Sequence, residues 1–160
     1  MRIAPFIAIQ LSFLTTLASG QSVTSAIRAF ELPGIWASDC GHGPGPQNEY
    51  SDFTVTSQGL VELHNDFGAD YDRMVYRIVD AARLSVFRLS LRLVLATDDR
   101  IVLDTVTLRS GGRIRNWSTR LGTNILVDNG TMPSANGQET SGMTRCDMRR
   151  ADRAPLTIRR

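Results

Sequence analysis

Between positions 87 and 95 apolar and polar side chains alternate: Phe87, Leu89, Leu91, Leu93 and Leu95 fall on one face, Arg88, Ser90 and Arg92 on the other. This period of two marks a half-buried strand. A helix would need apolar residues at i+3 and i+4, and here they do not recur consistently. Thr97-Asp98-Asp99-Arg100 then reads as a hairpin turn into a strand over 101–109, rich in Val, Leu and Thr. Ser110-Gly111-Gly112 turns the chain into a strand over 113–119, and 124–128 forms another, closed by Asn129-Gly130. Asn136-Gly137 marks one more turn before a last strand ending at Cys146. Upstream, 34–40, 50–56, 60–64 and 74–79 read as strands.

The pattern predicts an all-β fold of roughly eight or nine short strands, with no long helical stretch between them. Short connections force antiparallel neighbours. Open edges invite pairing with other chains, so a meander of this size closes into a barrel or folds as a sandwich. The expectation is a small antiparallel β-barrel over 33–146, preceded by a weakly helical lead-in over 21–32. The segment 147–160 is charged and poor in apolar residues, and reads as a disordered basic tail.

The first residues carry a different signal. Arg2 supplies a positive start, 3–17 is largely apolar and uncharged, and Ala18-Ser19-Gly20 offers a small-residue cleavage site before Gln21. These are the parts of a secretory signal peptide over 1–20. A membrane anchor is the competing reading, but a spanning helix wants about 20 apolar residues, and Pro5, Gln10, Ser12, Thr15 and Thr16 interrupt this run. The expected location is periplasmic or secreted, with no stable membrane span after cleavage. In such an oxidising compartment the chain's two cysteines, Cys40 and Cys146, pair most simply as a structural disulfide. A redox-active pair would show C-x-x-C spacing, which is absent.

All 18 basic residues are arginine, a bias that suits a GC-rich bacterial genome. On that reading the glycosylation-like triplets at Asn116 and Asn129 are chance matches. The stretch 145–160 holds six arginines against two aspartates, whereas 21–144 holds 11 arginines against 14 acids. The basic balance belongs to the tail, and the body lacks the charge of a nucleic-acid binder.

Candidate chemistry is sparse. His42 and His64 lie in no nucleophile, phosphate-loop, zinc or dinucleotide motif. Asp66, Asp70 and Asp72 form an acidic stretch that could attract calcium, yet they lack the regular EF-hand spacing and read instead as a solvated loop, so no metal is expected. Twelve aspartates and four glutamates leave paired carboxylates open without singling two out. Arg113, Arg115 and Trp117 share one face of a strand, with Arg120 nearby; such a cluster can stack on a sugar or base, or can simply shield arginine stems. No cofactor is expected.

Gly34-Ile35-Trp36, opening the first strand of an antiparallel barrel, resembles the G-x-W motif of lipocalins and other calycins. That resemblance implies that Trp36 closes the barrel floor and packs on Arg145 of the last strand. The chain departs from lipocalins in lacking a helix after the last strand, and Asp70-Tyr71 comes too early for their second motif. Gly34-Ile35-Trp36-Ala37-Ser38-Asp39-Cys40, Asn48 and Thr144-Arg145-Cys146 are similar to a group of small exported proteins of alphaproteobacteria. That likeness implies export and a terminal cysteine pair, and carries no activity with it. The expected function is a non-enzymatic binder of a small apolar ligand or an envelope component. The alternative is a protein-interaction or inhibitor module acting through the loops 41–47 or 66–72.

Overall fold

The computed structural model describes residues 22–146; the expected signal peptide and basic tail lie outside them. One helix, α1 (Val23–Ala29), precedes the strands β1 (Gly34–Ala37), β2 (Tyr50–Val55), β3 (Val61–Asp66), β4 (Met74–Arg83), β5 (Arg88–Leu95) and β6 (Asp98–Ser110). Then follow β7 (Arg113–Leu121), β8 (Asn124–Val127), β9 (Thr131–Met132), a 3-10 turn at Pro133–Ala135, β10 (Gln138–Glu139) and β11 (Met143–Cys146).

Strands β1 to β7 form an antiparallel meander, and β11 pairs with both β1 and β7, closing a barrel of eight strands. The closing strand joins Trp36 to Arg145 on one side and Ile114 to Met143 on the other. β7 is shared along its length: Arg113 and Ile114 pair with β11, while Thr119, Arg120 and Leu121 pair with β8. β8 is thus an extra strand outside the ring, and β9 and β10 form a small hairpin of their own.

Alternation decides which side chains face inward. Leu89, Leu91 and Leu93 are buried, as are Phe53, Val61, Leu63, Tyr76, Ile78 and Ile114. Thr105, Thr107 and Thr119 take inward positions on β6 and β7 and are also buried. Phe87 departs from the expected stripe. The β5–β6 ladder begins at Arg88 opposite Leu108, so Phe87 lies beyond its end and is 60% exposed. The turn expected at 97–100 is instead Ala96-Thr97, and Asp98 already pairs with Leu95. The extra residues form a bulge, which the Asp98 carboxylate stabilises by accepting from the Arg100 backbone N–H (3.1 Å) and guanidinium (2.8 and 2.9 Å).

The expected lead-in contains the helix α1, and the segment packs into the barrel. Ser22 caps α1 by accepting from Ser25 N at 3.2 Å. A helix this short has little stability alone, and it holds because Ala26, Ile27, Phe30 and Leu32 are 0–1% exposed within the barrel's core. Each large apolar side chain so buried contributes about 1.5–3 kcal/mol. The segment is therefore the plug of one barrel end, and the barrel domain begins before residue 33. Arg109, near the end of β6, reaches the plug, donating to Phe30 O at 2.9 Å and pairing with Glu31. The turns β2–β3, β4–β5 and β6–β7 lie at this plugged end. At the opposite, open end lie the loops 38–49 and 67–73 and the turns at 96–97 and 122–123.

Candidate functional site

Trp36 sits at the plugged end, 3% exposed, and its indole Nε1–H donates to Leu32 O at 2.8 Å. Arg145 stands opposite it in the ladder and donates to Pro33 O at 2.6 Å. The arginine lies across Gly34, where a β-carbon would stand 3.0 Å from Nε. Gly34 also has a φ of +128°, which side-chain-bearing residues rarely adopt. Trp36, Arg145 and Gly34 thus join the plug to the first and last strands.

Cys40 and Cys146 form a disulfide with Cα atoms 5.4 Å apart. It ties the loop after β1 to the end of β11. Asn48 organises that loop: its Oδ1 accepts from Asp39 N (2.9 Å) and Ser38 Oγ (3.0 Å), and its Nδ2 donates to the carbonyls of Asp39, His42 and Gly43. Tyr50 adds a bond from its hydroxyl to His42 O at 2.6 Å. The His42 ring and the Gly41 N–H hold the Asp39 carboxyl below the usual aspartate range. The second loop packs against the first, since a β-carbon on Gly68 would come within 2.9 Å of Pro44 O.

This framework fixes Glu49, which directly precedes β2 and continues the inward alternation of Ser51 and Phe53. Its half-buried carboxyl accepts from Ser51 Oγ at 3.1 Å, and Ser51 Oγ also lies 3.2 Å from Asn65 Oδ1. Burial pushes the Glu49 carboxyl up from the ordinary value, outweighing the Ser51 hydrogen bond. Tyr76 is raised as well, first by its own burial and then by the nearby Glu49 charge. Across the barrel, Thr105 Oγ1 lies 2.9 Å from both Ser118 O and Thr119 Oγ1. These groups surround an internal cavity of about 90 Å³ whose apolar side includes Phe53, Leu93, Leu103 and Met143. One water needs about 10–15 Å³ of such space, and drug-sized pockets begin at about 300 Å³. The barrel is thus filled at its plugged end and keeps a small, mixed polar and apolar cavity above.

The other predicted residues are distributed differently. Arg115 lies 5.3 Å from the centre of the Trp117 ring, and the second cation over that ring is Arg88 at 4.9 Å. Arg113 instead donates to Gly142 O at 2.6 Å, and Arg115 pairs with Glu139 at 3.6 Å. Gly130 closes on the same ring, since a β-carbon there would stand 3.4 Å from it. The Trp117 surface is therefore occupied by neighbours of the same chain rather than offered as a stacking platform. Asp66 pairs with Arg73 at 2.7 Å and accepts from Gly68 N at 2.9 Å, while Asp70 and Asp72 are exposed. Among the described residues no three acidic, His or Cys side chains gather as metal ligands. No protein-family model, no curated protein and no solved structure matches the chain.

Proposed function

We propose that this protein is an exported, non-enzymatic binder that seats a small ligand, or the head of a longer one, in the open half of its barrel. The observation that carries the reading is Glu49, a half-buried carboxyl raised by burial and facing a cavity with polar and apolar walls. A buried carboxylate gains from each donor brought to it. A ligand with an amine or hydroxyl head supplies that donor, and Leu93, Leu103 and Met143 accommodate a short aliphatic body. A purely apolar ligand would bury the carboxyl further without compensation. The ligand class is therefore a short amphiphile with a donor head, more polar than the sequence suggests.

The disulfide is compatible with an oxidising compartment. Among the described residues no helix is long and apolar enough to cross a membrane. The disulfide supports a reading in which the binder works outside the cytoplasm.

The test is the melting temperature of the protein against a panel of short primary amines, amino alcohols and alcohols, each repeated with Glu49→Gln. A ligand at 100 times its Kd stabilises by about 2.7 kcal/mol. At least one class should raise the melting temperature of the parent and lose most of that rise in the variant. No rise with any class, or a rise unchanged by the substitution, would overturn the proposal.

A further inference from the structure

The plugged end carries an exposed apolar tip within a basic rim. The β4–β5 turn presents Leu84, Val86 and Phe87 at 58%, 62% and 60% exposure, and Leu60 on the β2–β3 turn is 52% exposed. The tip is a built turn: Leu84 N and Ser85 N donate to Arg88 O at 3.0 and 3.2 Å. Phe87 N donates to Ser85 Oγ and Arg83 Nε to Ser85 O, both at 3.1 Å. An open groove of about 520 Å³ runs beside it, lined by Leu84, Phe87, Arg88, Leu108 and Arg109 among others.

Charge separates along the barrel axis. Arg28 in the last turn of α1, Arg83, Arg88, Arg109, Arg113 and Arg145 all lie at the plugged end, where the acids are Glu31, paired with Arg109, Glu62 at the start of β3, and Glu139 beside Arg113. The open end holds Asp39, Glu49, Asp66, Asp70, Asp72, Asp98 and Asp99, opposed there by Arg73, Arg100 and Arg120.

We infer that the plugged end docks on an anionic lipid surface, with Leu84, Val86 and Phe87 entering the interface and the arginines meeting the headgroups. Apolar side chains flanked by cations are the chemistry of interfacial binding, and each cationic side chain near an anionic surface strengthens it about fivefold. The backbone N–H groups of Leu84, Ser85 and Phe87 are already paired within the turn, which leaves fewer polar groups to strand on insertion. An acidic protein groove would answer the arginines but not three apolar side chains at the very apex.

The test is co-sedimentation of the protein, expressed with its own N-terminus and recovered in soluble form, with vesicles of phosphatidylcholine alone or mixed with phosphatidylglycerol. Binding should require phosphatidylglycerol and weaken with salt. Val86→Ser with Phe87→Ser should weaken it at least about tenfold, and Arg28→Gln with Arg83→Gln about twenty-five-fold. Parent and variants share both termini, so these differences belong to the barrel end; all substituted side chains are exposed, and an unchanged melting temperature checks the fold. Val86→Trp should show blue-shifted emission and quenching by brominated lipid on binding. Equal binding by parent and both variants, no binding to either vesicle, or self-association lost in the tip variant without vesicle binding would each overturn the inference.

Discussion

Trp36 donates its indole N–H to the carbonyl of Leu32 at 2.8 Å, linking the first barrel strand to the segment that plugs the barrel. Both residues are buried, at 3% and 0% exposure, so the bond has no water to replace it. Trp36→Phe should cost about 1–3 kcal/mol from the unpaired carbonyl, plus the packing lost with the smaller ring. Denaturant unfolding measures this. A loss below about 0.5 kcal/mol would mean the plug does not depend on that bond.

The disulfide joins positions 106 residues apart and therefore restricts most of the unfolded domain. The chain-entropy account assigns about 4.7 kcal/mol to a loop of about 100 residues. Cys40→Ser with Cys146→Ser should lower the unfolding free energy by about 3–5 kcal/mol. The barrel's far-ultraviolet spectrum should persist at low temperature, because the β1–β11 and β7–β11 ladders do not need the bond. A change under about 1 kcal/mol would contradict a structural role.

The Glu49 carboxyl has a folded-state pKa above its ordinary value of 4.5 because burial disfavours its charge. The native state therefore holds this proton more tightly than the unfolded chain. Its favourable contribution is complete below the ordinary value and is lost as pH rises through the raised one. Glu49→Gln keeps the shape but cannot ionise, so its stability relative to the parent should improve as pH rises from acid toward neutral. Paired melts across that range test the sign. A variant that loses ground to the parent as pH rises would show that the native state favours the carboxylate.

Much of the barrel was legible because alternation is local: Leu89, Leu91 and Leu93 disclose their face through immediate neighbours. The Cys40–Cys146 pairing was legible because a chain with only two cysteines, read as exported, has few alternatives. The plug was not. Ile27, Phe30 and Leu32 are too few to outweigh the low helical stability of a short segment, and only the barrel opening supplies their partner. Phe87 continued the leucine stripe in sequence, but the ladder ends one residue sooner. Glu49 carried a usable signal, since period two traced back from Phe53 through Ser51 puts it on the core face. An acid beside a Gly/Pro loop nonetheless reads as solvent-facing, until Asn48 is seen to fold that loop back on itself.

Native mass spectrometry of the protein purified from its own host tests the central claim most directly. The account predicts an additional small mass that leaves on denaturation and is depleted in Glu49→Gln purified in the same way. A parent that carries only its own chain mass, with no small donor-bearing compound adding to it on titration, would contradict a ligand seat at Glu49.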